Sequence, residues 1–123
     1  MQENKNIKIY LSDIARSINE ICGFLPENCS FQDFQNDLKT RKAVERNIEI
    51  IGEAMNRIIK INPHFPITAS RKVIDTRNRI IHGYDTVSEE ILWMIIVNDL
   101  PDLDKQVKSM LDKSQMTPFR FKD

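Results

Sequence analysis

Glycine and proline are scarce in this chain, with three and five among 123 residues. So few helix and strand breakers exclude a loop-rich or collagen-like polypeptide and leave room for long regular elements. Cysteine is equally sparse. Cys22 and Cys29 are too few for a disulfide framework and lack the Cys-x-x-Cys spacing of a zinc or redox site. Two reduced thiols, at least one of them partly buried, are expected. No apolar run approaches the roughly 18–20 residues that a membrane helix needs. The opening residues, MQENKNIKIYL, lack the basic stretch and apolar stretch of a secretory signal, so the cytoplasm is the expected compartment. A net charge is missing too: 18 basic residues balance 18 acidic ones. That excludes a histone-like cation gripping nucleic acid by bulk charge.

What is present is ordinary for a single globular domain, with 41% hydrophobic and 29% charged residues. Ile7, Tyr10, Leu11, Ile14, Ile18 and Ile21 recur at spacings of three and four, the mark of an amphipathic helix, and Gly23 suits a left-handed residue ending it. Ser30 followed by Asp33 reads as an N-cap that starts a short helix in SFQDFQNDL. From about Thr40 a long helix carries Val44, Ile48, Ile51, Met55, Ile58 and Ile59 on one stripe. Off that stripe lies the row Glu45, Glu49, Glu53, Arg57, ending in an acid-before-base pair. Gly52 interrupts this helix at a cost of about 1 kcal/mol relative to alanine, which a close helix–helix approach would explain.

NPHFP breaks the pattern, with His64 as a loop residue. A fourth helix is predicted from near Ala69, with Val73, Ile74, Ile80 and Ile81 as its apolar positions and Gly83 as its end. Ser88 caps a fifth, running through Ile91, Leu92, Ile95 and Ile96. Pro101 should kink it before Leu103, Val107, Met110 and Leu111 continue the stripe. Trp93 reads as core or dimer packing rather than a platform for bases. The expectation is an all-α, up-down bundle of four main helices plus one short helix, with a helical domain at 1–112 and a tail at 113–123.

Charge is unevenly spread. Residues 61–82 carry four basic side chains, Arg71, Lys72, Arg77 and Arg79, against one acidic, a local +3. These could meet phosphates or simply face solvent. Two of the four, Arg77 and Arg79, lie in RNRIIHGY, residues 77–84, and the other two shortly precede it. Its members suit RNA cleavage. A histidine titrating near neutrality can accept the ribose 2′-OH proton or donate one to the leaving oxygen. An arginine fork suits the oxygens of a phosphorane, and asparagine can orient a neighbour. No metal is required, and the carboxylate clusters of a two-metal nuclease are absent nearby. The other reading is bland: basic residues at a helix C-terminus followed by a glycine cap. Geometry also restricts the segment. Asn78 and His82, four apart, share a helix face, whereas Arg77 and His82 diverge by about 140°. A second copy of the segment across a two-fold axis would ease that mismatch.

RNRIIHGY resembles the Arg-x4–6-His signature of HEPN ribonucleases, and its form Arg-Asn-x3-His-x-Tyr is similar to that of HepT-like toxins. SFQDFQNDLKTRKAVERNIEIIGEAMNRI resembles that family's second and third helices, and ILWMIIVNDLPDLDKQV its last, with Trp93 and the Leu100–Pro101 step. The resemblance spans roughly residues 6–112. It implies a HEPN-like bundle forming a two-fold homodimer with two motifs facing one cleft. It implies a metal-independent endoribonuclease toxin of a type VII-like pair, without cofactor. Arg77 and His82 take the catalytic positions and Asn78 the polar position after the arginine; Arg79, Arg71 and Lys72 are candidates for RNA contact. The implied partner is a nucleotidyltransferase antitoxin that attaches AMP to Tyr84, a residue that could equally be a half-buried aromatic closing the helix end. The alternative is a catalytically weak module that docks the nucleotidyltransferase.

Overall fold

A computed structural model of the chain describes residues 2–67, 70–82 and 88–111, with every side chain among them except those of residues 2–4, 70–72 and 82. The regular elements among these residues are helices: α1 (Gln2–Phe24), α2 (Phe31–Gln35), α3 (Leu38–Ile61), α4 (Ser70–His82), α5 (Glu89–Met94) and α6 (Leu100–Met110). A π-helical turn at Ile95–Asp99 joins α5 to α6. Taken as one rod, these last two complete the four long helices that the periodicity implies, with α2 as the short one.

The apolar stripes do what their spacing predicts. Ile14, Ile18 and Ile21 of α1 and Val44, Ile48 and Ile51 of α3 are completely buried, each contributing on the order of 2 kcal/mol. The rod from Leu92 to Val107 adds Ile95, Ile96, Leu100 and Leu103 to the same core. α3 packs against both α1 and α4, while α6 packs on α1 and α2 sits on α3 and α5. No helix among the described residues is long and apolar enough to cross a membrane. Both cysteines are free thiols, Cys22 buried and Cys29 partly so.

Local chemistry sets the ends of the elements. The Ser30 hydroxyl accepts from the Asp33 N–H at 3.1 Å and the Asp33 carboxylate from the Ser30 N–H at 3.2 Å, a complete capping box. α3 starts at Leu38, ahead of the expected Thr40, because Asp37 is its N-cap: its carboxylate takes the Thr40 N–H at 3.1 Å and the Thr40 hydroxyl at 2.6 Å. Those two hydrogen bonds hold the Asp37 carboxyl below its ordinary range.

Two expectations, for Gly23 and Ile81, are corrected, and a third, for Pro101, is made specific. Gly23 lies within α1, which runs on to Phe24; the left-handed residue is Asn28, with φ 60°. Asparagine tolerates that conformation, and a Cys29 N–H to Pro26 carbonyl bond of 3.2 Å closes the turn around it. At Pro101 the adjustment of the helix takes a specific form. The helix widens ahead of it, with the Leu100 N–H donating to the Ile95 carbonyl, and Pro101 falls in the first turn of α6, where a missing N–H costs little. Ile81 is not core but 44% exposed, because residues adjacent on a helix differ by about 100° and Ile80 takes the inward direction. Trp93 does pack: its ring lies 5.4 Å from Phe34 and 6.1 Å from Phe31.

Candidate functional site: Arg77 on the α3–α4 contact

α4 carries Arg77, Asn78 and Arg79 and closes with the backbone of His82. Where α4 crosses α3, Gly52 faces it. A Cβ added at Gly52 would stand 2.4 Å from Arg77 Cβ, 2.9 Å from its Cγ and 3.1 Å from the Val73 carbonyl oxygen. The missing side chain is what lets the arginine stem lie against α3, so the glycine that interrupts a good helix does mark a close approach.

The residue after that notch completes the arrangement. Glu53 Oε1 accepts from Arg77 Nη2, and Asn78 Oδ1 accepts from Arg77 Nη1 at 2.8 Å. The other Glu53 oxygen accepts from Arg57 Nε at 2.7 Å, and the Arg57 guanidinium stands 5.9 Å from the Tyr10 ring centroid. A continuous chain of contacts therefore runs Tyr10, Arg57, Glu53, Arg77, Asn78, tying α1, α3 and α4 together. Arg77 is 18% exposed, against 36% for Glu53 and 55% for Arg57, so the arginine is the sheltered member. Its Nε is buried with no acceptor among the described residues. The Arg57 hydrogen bond, opposed by partial burial and aided by the Arg77 charge, keeps the Glu53 carboxyl below its usual value and ionised.

Tyr10, Arg57, Glu53 and Arg77 line a cleft of about 550 Å³ whose wall also includes Asp13, Arg46 and Glu49. Arg46 pairs with Glu49 at 3.2 Å, so each of the cleft's three arginines has a carboxylate partner. Charge is present there but balanced, which suits selective capture of one anionic group better than indiscriminate attraction. Among the described residues no three His, Cys, Asp or Glu side chains are grouped to hold a metal ion.

Of the residues singled out from the sequence, Arg77 and Asn78 are brought into direct contact and Arg79 is exposed. Arg71 and Lys72 lie in the first turn of α4, but their side chains, like that of His82, fall outside the described residues, as does Tyr84 entirely. Glu53 was missed as a site residue. On the sequence it is one step of an exposed acidic row, and its only distinguishing signal is the glycine before it.

The family description "Ribonuclease HepT-like" matches residues 14–110, most of the chain, including α3, α4 and all the lining of the Arg77 cleft except Tyr10 and Asp13. The chain belongs to the ribonuclease HepT-like family. It is 40% identical over 100 residues to a protein of Thermococcus cleftensis named "Probable ribonuclease HepT", covering 78% of this chain and 87% of that one. It is 35% identical over 115 residues to "Putative RNase TTE0752" of Caldanaerobacter subterraneus subsp. tengcongensis, covering 90% and 99%. It is 31% identical over 109 residues to "Putative RNase MJ0127" of Methanocaldococcus jannaschii, covering 87% and 88%. No solved structure gives a match. Ribonuclease is therefore the functional class to which the family assigns the chain.

Proposed function

We propose that the chain is a metal-independent endoribonuclease acting as the toxin of a toxin–nucleotidyltransferase pair. The observation that carries this is the sheltered Arg77, fixed by Asn78 and Glu53 on the wall of a cleft, in a chain of the HepT-like family. Cleavage proceeds by transesterification. The ribose 2′-oxygen attacks the adjacent phosphorus, the bond to the 5′-oxygen breaks, and the products are a 2′,3′-cyclic phosphate and a 5′-hydroxyl. His82 accepts the 2′-OH proton or supplies one to the departing oxygen, and Arg77 offsets the charge gathering on the phosphorane. The second proton transfer falls to His82 of another copy in a two-fold dimer. Ile81, next to His82 in sequence and 44% exposed, supplies apolar surface that such a copy would cover.

Tyr84, two residues beyond His82, is the site at which the nucleotidyltransferase attaches AMP. The added negative charge and bulk would stand at the entrance for an anionic backbone and silence the site. The test is RNA incubated with purified protein in EDTA, with product ends mapped. Cleavage to cyclic phosphate ends that disappears in Arg77→Ala and His82→Ala, with the fold intact, supports the reading. Cleavage that survives both substitutions ends it. A wild-type protein that leaves RNA uncut yet is toxic only without the nucleotidyltransferase points instead to the docking module.

A further inference from the structure

We infer that Glu53, beside the notch at Gly52, is the positioning residue for Arg77: its carboxylate sets the direction in which the guanidinium meets a phosphate. The catalytic consequence rests on the ribonuclease reading above; the positioning itself does not.

Arginine has five N–H donors in a planar fork. In Arg77 the Nε donor is buried, one Nη1 donor goes to Asn78, and one Nη2 donor goes to Glu53. One N–H remains on each Nη nitrogen for an incoming anion. Two acceptors from two helices therefore fix the guanidinium plane and leave a defined pair of donors free. An unsupported arginine would reach such an orientation only as one of many rotamers.

Glu53 is itself held. Its second oxygen is occupied by Arg57, which is steadied over the Tyr10 ring, so the carboxylate cannot turn to follow a wandering partner. The arginine stem is held as well. Its Cβ and Cγ lie against Gly52, and the neighbouring contact is the Val73 backbone, so Arg77 cannot retreat from Glu53 unless α4 moves. A competing role is that Glu53 merely occupies Arg77 until RNA displaces it. That role requires a carboxylate or an arginine free to swing away, and both are braced.

The two roles give opposite results on neutralising Glu53 without changing its shape. Turnover on RNA is measured for wild type, Glu53→Gln and Arg77→Ala at saturating and sub-saturating substrate, together with thermal melting. Positioning predicts a kcat for Glu53→Gln lower by about tenfold or more, with KM within about twofold of wild type. An unchanged or higher kcat, or a loss confined to KM, overturns it. If wild-type protein leaves RNA uncut, the ribonuclease reading fails and the positioning is judged by nitrogen-15 NMR of the Arg77 guanidinium. Slow rotation of that group in wild type, released in Glu53→Gln, supports the inference; identical rotation in both overturns it.

Discussion

Replacing Gly52 with alanine adds one methyl group at the point where α3 and α4 touch. It would lie 2.4 Å from Arg77 Cβ, 2.9 Å from Cγ and 3.1 Å from the Val73 carbonyl oxygen. Relaxed carbon–carbon contacts are near 3.5–4.0 Å, so the arginine stem must withdraw by about 1 Å. A rotamer change cannot provide this, because the nearest atom is a Cβ and the third is backbone. The axis of α4 has to shift. Alanine recovers about 1 kcal/mol of helix propensity, against an overpacking cost of about 1–3 kcal/mol. With its closest contacts on a Cβ and on backbone, the upper part of that range applies, for a net loss of about 1–2 kcal/mol. In a chain of this size that lowers the melting temperature by about 4–8 °C, read from helical circular dichroism. The same shift carries Arg77 off Glu53, and a misplacement of about 1 Å can cost up to a hundredfold in rate. The assay is RNA cleavage at a temperature well below both melting points. A Gly52→Ala protein as stable and as active as wild type would refute the reasoning, since the α3–α4 contact would then have slack to spare.

Other perturbations test other parts of the fold. Phe34→Ala empties a fully buried position beneath Trp93 and should cost about 3–5 kcal/mol in denaturant unfolding, followed through the chain's one tryptophan. Ser30→Ala removes the hydroxyl half of the α2 capping box and should cost about 1 kcal/mol by the same measurement. Asp104 and Lys108 form an ion pair of 3.1 Å with both side chains nearly inaccessible, and burial raises the Asp104 carboxyl above its ordinary value. Asp104→Ala should therefore destabilise by about 3 kcal/mol or more, whereas paired replacement of both residues by apolar ones of similar volume should be far milder. Glu53 has the opposite shift, a carboxyl lowered from 4.5 mainly by its Arg57 hydrogen bond. Its stabilisation is complete above that value and drains away as the pH falls through the lower folded one, so Glu53→Gln should flatten the acid side of a melting-temperature profile.

What the sequence disclosed, and what it did not, follows from how far each interaction reaches along the chain. The capping box at Ser30 and Asp33 spans three residues, and both halves can be seen side by side. Asp37 is just as local, but Thr40 is an equally suitable cap type, and only the hydrogen bonds from Thr40 back to Asp37 decide between them. Pro101 announces that a helix must adjust, but not that it does so through a π turn at Ile95–Asp99 with Ile95 and Leu100 both in the core. Ile81 shows the limit of composition as a guide. It is as apolar as Ile80, and only the direction in which α4 meets α3 separates them. The site divides the same way. Arg77 and Asn78 are adjacent and legible as a motif, whereas Glu53 is 24 residues from Arg77 and joins it only through the register of two helices. Gly52 is the one residue that encodes that register locally, since a glycine tolerated in mid-helix means something must come close, and the residue beside it is then the first place to look for what the approaching side chain needs.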